Sequence, residues 1–121
     1  MEFITSKKIK ELSNPGVVSR QLLNPENSMS KRVTITEVHL IPGAKQPRHT
    51  HKSSEQIWYV IRGTGMLLLE GETEQEINTG DIVRFADNDV HGLFNSSADE
   101  LVYISVTAPP INFSYAYKES R

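Results

Sequence analysis

The chain has 121 residues, a net charge of -2, a pI near 6.1 and no cysteine. That length fits one domain able to bury roughly two thirds of its unfolded surface, and the missing thiols exclude disulfides, thiolate metal ligands and a cysteine nucleophile. No basic stripe suggests nucleic acid, and neither MEFITSKKIKELS nor the longest apolar runs, such as MLLL at 66–69, suit a leader or a bilayer span, so a cytoplasmic location without a membrane partner is expected.

In chain order, residues 7–12 are the one helix expected, and a short one. Residues 17–23 suit an additional strand, and NPENS at 24–28 suits a loop. VTITEVHL at 33–40 alternates β-branched with polar residues and stops at Ile41-Pro42-Gly43, a turn. IWYVI at 57–61 is aromatic and β-branched, and Gly63 closes it. GMLLLEG at 65–71 and EQEI at 74–77 read as a hairpin turning through Gly71-Glu72-Thr73. DIVRF at 81–85, HGLFN at 91–95 and ELVYISV at 100–106 complete the set. Seven or more short strands at this spacing predict an all-β sandwich or barrel. After Pro109-Pro110 the tail carries Phe113, Tyr115 and Tyr117, which predicts packing on the barrel or on a partner chain.

The stretch RHTHKSSEQIWYVIRG, residues 48–63, holds the densest chemistry. His49 and His51 are two apart. On an extended chain they share a face, about 6.6 Å apart along the strand, so both imidazoles can reach one ion. His91 lies further along the chain, where a barrel can bring it alongside. Three neutral imidazoles and an oxygen suit Zn, Fe, Ni, Mn or Cu. The oxygen is open at this point: Glu55 and Gln56 both follow the pair.

Wider spacing resembles the cupin family. Its first motif is a glycine, five residues, His-x-His, three or four residues, an acid, six residues and a glycine. Gly43, His49, His51 and Gly63 stand at those places. Its second motif is a glycine, five residues, Pro-x-Gly, two residues, a histidine, three residues and an asparagine. Gly80, His91 and Asn95 match, with Ala86 for the proline and Asn88 for the second glycine. Asn tolerates the left-handed turn conformation. The resemblance spans roughly residues 34–106. It implies a double-stranded β-helix barrel close to the jelly rolls, a single domain over 1–121 with an N-terminal arm at 1–30 and a C-terminal tail at 107–121, one divalent metal ion, and a homodimer in which the outer face of IWYVI and the tail offer apolar surface.

The same pattern decides the fourth ligand. Leaving six residues before Gly63 places the ligand at Gln56, not Glu55. The implied metal set is His49, His51, Gln56 and His91. A neutral glutamine leaves the full charge of a divalent ion, which favours Lewis-acid work over stabilising a +3 state. Among cupins, glutamine here is similar to small proteins that tautomerise unsaturated uronates and to some polyketide cyclases. The uronate group closes its last core strand with Asp-x-Phe-Ser-Pro-Pro-Arg. Residues 105–111, SVTAPPI, lack both the acid and the arginine.

Three functions follow from the family, which hosts many reactions: an isomerase, tautomerase or lyase on a small oxygenated molecule such as a sugar acid or keto acid; an iron-dependent dioxygenase; or a non-catalytic small-molecule sensor. No catalytic residue is assigned, and no Gly-x-Ser-x-Gly elbow or phosphate loop occurs. Trp58, Met66, Tyr103 and Ser105 are the candidate pocket residues, and Leu68 is read as barrel lining with Met66. Arg84 and Glu55 are read as surface charges, Arg48 and Lys52 as solvated, His39 as structural or exposed, and Asn95 as a turn or strand hydrogen-bonder.

Overall fold

A computed structural model describes residues 1–120. Its strands are β1 Lys10–Asn14, β2 Val17–Leu23, β3 Thr34–Leu40, β4 Lys45–His49, β5 Glu55–Arg62, β6 Thr64–Leu69, β7 Glu74–Asn78, β8 Ile82–Phe85, β9 His91–Phe94, β10 Leu101–Ala108 and β11 Glu119–Ser120. They form two antiparallel sheets. The larger runs β11-β1-β2-β3-β10-β5-β8 and the smaller β4-β9-β6-β7.

Alternation drives the packing. In β3, Thr34, Thr36, Val38 and Leu40 are buried while the residues between them are only half-buried. One face of a strand therefore meets the opposite sheet. The core between the sheets joins Val38, Leu40, Val60 and Leu101 to Leu67 and Leu93. Two glycines are required by close approach. Gly63 has φ +96°, and a Cβ there would lie 2.6 Å from the Glu100 carbonyl oxygen. At Gly92 a Cβ would lie 2.7 Å from the Gln46 carbonyl oxygen and 2.9 Å from the Arg48 nitrogen, so β9 is pressed onto β4.

The expected helix over 7–12 does not form. A 3-10 turn at Ser6–Lys8 leads directly into β1, whose Leu12 is buried. Six residues are too few for a stable isolated helix, whereas pairing with β2 satisfies the backbone across Lys10–Asn14. The expected N-terminal arm thus contributes two strands to the larger sheet. A strand not expected from sequence, β4, reads KQPRH and lacks β-branched residues. It is an edge strand, where a proline is tolerated. Its register on β9 shifts between Gln46 and His49. The turn before His91 has Asn88 at φ +69°, the left-handed conformation that the second-motif spacing predicts.

The tail folds back across the barrel. Ile111 exchanges two hydrogen bonds with the Thr34 hydroxyl, which donates to its carbonyl at 3.0 Å and accepts its N–H at 3.1 Å. A 3-10 turn at Phe113–Ala116 follows. Asn14 then clasps the chain, donating to the Ala116 carbonyl at 3.0 Å and accepting from the Lys118 N–H at 2.9 Å. Finally β11 pairs with β1.

Candidate metal centre

β4 ends at His49, directly across the ladder from His91, the first residue of β9. His51 follows in the loop, where its carbonyl accepts the Asn88 N–H at 2.8 Å. That bond ties the loop of the first motif to the turn of the second. The three rings converge: centroids lie 4.2 Å apart for His49 and His91, 5.0 Å for His49 and His51, and 5.2 Å for His51 and His91. One ligand nitrogen from each falls within 4.8 Å of the others.

Backbone carbonyls fix which nitrogen points inward. His49 Nδ1 lies 2.8 Å from the Pro47 carbonyl and His91 Nδ1 2.9 Å from the Asp89 carbonyl. A carbonyl only accepts, so each Nδ1 carries the proton and each Nε2 keeps a lone pair. The Nε2 atoms of His51 and His91 are buried with no hydrogen-bond partner. Such orphaned polar atoms are costly in an apolar interior, and a divalent ion would satisfy both. Burial is the main cause that pushes the pKa of His51 and of His91 down to about 4, assisted in each by the neighbouring histidines. In His91 the hydrogen bond to the Asp89 carbonyl works in the other direction and outweighs either neighbouring histidine, but not burial. Both rings are therefore neutral at pH 7, the form that binds metal. Phe85 stacks on His91 at 4.5 Å and Trp58 meets its edge at 5.7 Å, which locks the ring.

β5 separates the two candidates for the fourth ligand. Gln56 is buried and faces the cavity; Glu55 takes the other face and pairs with Arg84 at 2.6 Å. Gln56 is held at both ends. Its Nε2 donates to the Thr107 hydroxyl at 3.0 Å, and its Oε1 accepts the Trp58 indole N–H at 3.0 Å. One lone pair of Oε1 remains available.

His49 and His51 border a cavity of about 340 Å³ whose walls include Trp58, Tyr103 and Ser105. Met66 does not reach it: Leu67 takes the inward face of β6, so Met66 and Leu68 project from the other side. Leu68 is nonetheless buried. Thr107, on the same face as Tyr103 and Ser105, is used up in holding Gln56. Arg48 lies at the rim, where its Nε donates to the Leu69 carbonyl at 2.8 Å, and Lys52 is exposed. His39 sits on the outer face between Glu37 at 2.8 Å and Glu100 at 3.4 Å. Asn95 is fully buried and donates to the Leu40 and Asp99 carbonyls.

The sequence assigns none of three residues, Gln46, Phe113 and Tyr117, to the cavity, although it predicts that the two aromatic ones pack on the barrel or on a partner chain. Gln46 accepts the Tyr103 hydroxyl at 2.7 Å. Phe113 meets His51 edge-on at 5.8 Å, and Tyr117 hydrogen-bonds with Ser19 and Gln46. The aromatic spacing of the tail was the one available signal for the last two. Gln46 had none, since its strand carries no β signature.

Both motifs therefore meet at one site inside one barrel, and a family model for the cupin domain matches residues 36–107. The chain belongs to the cupin family. This cupin is 28% identical over 104 residues to an uncharacterised protein of Methanocaldococcus jannaschii, covering 85% of this chain and 82% of that one. Its fold is similar to that of KdgF from Halomonas sp. (TM-score 0.76, 22% identity, 93% and 96% of the two chains). It is also similar to that of the polyketide cyclase RemF from Streptomyces resistomycificus (TM-score 0.77, 18% identity, 100% and 84%). Among the described residues no helix is long and apolar enough to cross a membrane.

Proposed function

We propose that this cupin is a metal-dependent enzyme doing Lewis-acid chemistry, an isomerisation, tautomerisation or lyase reaction, on a small oxygenated molecule. The orphaned Nε2 atoms of His51 and His91 beside His49 carry the reading. In it, His49, His51, His91 and Gln56 hold one divalent ion. The ion would polarise a carbonyl or hydroxyl of the substrate. The chain's own part is to orient and to insulate. Pro47 and Asp89 carbonyls aim two imidazoles, Thr107 and Trp58 aim the Gln56 amide, and the tail shields the cavity. No carboxylate lines that cavity, so nothing in its wall offsets the positive charge. Burial raises the Tyr103 hydroxyl well above its usual range, which keeps it a proton donor. KdgF and the polyketide cyclase share this fold, which accords with the reading without choosing a reaction.

The test is element analysis of protein purified without added metal, beside His49→Ala. About one ion per chain, lost in the variant, is expected; an equal and negligible content in both would overturn the site. Oxygen consumption coupled to turnover of iron-loaded protein would replace Lewis-acid chemistry with a dioxygenase.

We also propose a homodimer through the outer face of β5 and β8, where Tyr59, Ile61 and Ile82 are 46%, 45% and 68% exposed. Sedimentation of Ile82→Lys against the parent checks it. Parent and variant both running as monomers would remove it.

A further inference from the structure

We infer that the ligand of this cavity is a flat, uncharged body of one to two rings, with adjacent oxygens at the end that faces the histidines. Only that oxygen-bearing end rests on the metal reading above. The ring end rests on the walls. Five aromatic side chains line the cavity: Trp58 and Tyr103 from the larger sheet, and Phe113, Tyr115 and Tyr117 from the tail. Trp58 and Tyr103 pack against each other, with ring centroids 4.4 Å apart and a 30° tilt, so both rings are held rigidly in the wall. Phe113 stands beside His51, so apolar surface begins where the metal ligands end. The volume of about 340 Å³ is roughly twice that of an apolar cavity known to hold one benzene.

Charge and hydrogen bonding exclude the alternatives. The cavity's two cationic lining residues are both directed elsewhere. Arg48 is bound to the Leu69 carbonyl and lies 3.9 Å from Glu72. Lys45 is exposed, next to the inward Gln46 on an alternating strand. A sugar acid whose carboxylate lay away from the ion would meet cations only at the solvent-exposed rim, where ion pairs contribute little. Its ring hydroxyls would find the Ser105 and Thr36 hydroxyls, but the other polar groups of the far wall already serve one another. Tyr103 donates to Gln46, Tyr117 engages Ser19 and Gln46, and Gln21 donates to the Ser19 hydroxyl at 2.8 Å. Unmatched hydroxyls there cost affinity. A three-carbon keto acid would reach the ion but leave the aromatic end unfilled.

The experiment is calorimetric titration of zinc-loaded protein with 2,3-dihydroxynaphthalene and with D-glucuronate, repeated on metal-free protein. The diol is expected to bind about tenfold or more tighter than glucuronate. Phe113→Ala should weaken the diol by about five- to tenfold, and the exposed Tyr115→Ala by about two- to threefold, with metal content unchanged. Glucuronate binding as tightly as the diol, or both variants leaving the diol unaffected, would overturn the inference while the metal reading stands. A protein that takes up no zinc on loading yet binds the diol with the same sensitivity to Phe113 would sink the metal reading and keep the ring.

Discussion

The two walls of the cavity are made by different sheets and have different chemistry. The smaller sheet and the loop leaving β4 supply all three imidazoles: His49 ends β4, His51 follows it and His91 opens β9. The larger sheet supplies neutral groups, with Gln56 and Trp58 on β5 and Tyr103 and Ser105 on β10. In the proposed reading, one wall would hold an ion and the other what the ion acts on. Gln56 is where they touch, since its amide belongs to the second wall and its spare lone pair is offered to the first. An ion held there would place positive charge on one side of a cavity whose lining sets no carboxylate against it.

The largest effect expected from breaking this arrangement comes from His49→Ala. Loss of an outer-shell partner alone typically costs about 10- to 100-fold in metal affinity; loss of a ligand should cost more, as read by chelator competition. Unchanged affinity would mean that the histidines do not act together. Acid should come next. His51 and His91 titrate lower in the folded protein than at their ordinary 6.5, so between about 6.5 and about 4 the unfolded chain binds more protons. The stability they contribute is full above 6.5 and is lost as pH falls through about 4. Thermal melts of metal-free protein should therefore drop steadily from pH 7 to pH 4, and His91→Phe should flatten the slope. A slope the substitution leaves intact would assign it to other groups.

Trp58→Phe sharpens the comparison at its meeting point. It removes the indole N–H from Gln56 and keeps a ring, so metal affinity should fall by about tenfold or less. A cobalt-loaded sample should show a shifted visible spectrum, and identical spectra would place Gln56 outside the coordination sphere. The smallest effect belongs to the outer face. Glu55→Gln breaks a pair with Arg84 whose side chains are 38% and 62% exposed. Such pairs contribute about 1 kcal/mol or less, and metal content should not move. A fall in metal content would bring Glu55 back as a ligand.

How much of this was legible in the sequence differs between the walls in the same way. The metal wall is written in short spacings: two histidines two residues apart, a glycine count back to Gln56, and a turn in which Asn88 stands for glycine. Local geometry is a property of neighbours along the chain, so these could be read. The second wall is made of contacts between distant residues. Gln46 meets Tyr103 across the barrel, and Tyr117 meets Ser19, without any local pattern to announce them. Met66 shows the limit of alternation. Both faces of MLLL are apolar, so only the register with β9 decides that Leu67 turns inward. The helix expected at 7–12 failed for a related reason, because the edge of β2 offered a ladder that no local propensity reveals.

Gly92 lends the site a property that its ligands do not fix. It lets β9 lie against β4 closely enough for His49 and His91 to stand 4.2 Å apart. Close approach of the two strands is thus a condition for the two rings to converge. A single methyl at this position would act as a shim between two strands without altering any donor atom. The convergence of the rings is in that sense set by a residue with no side chain.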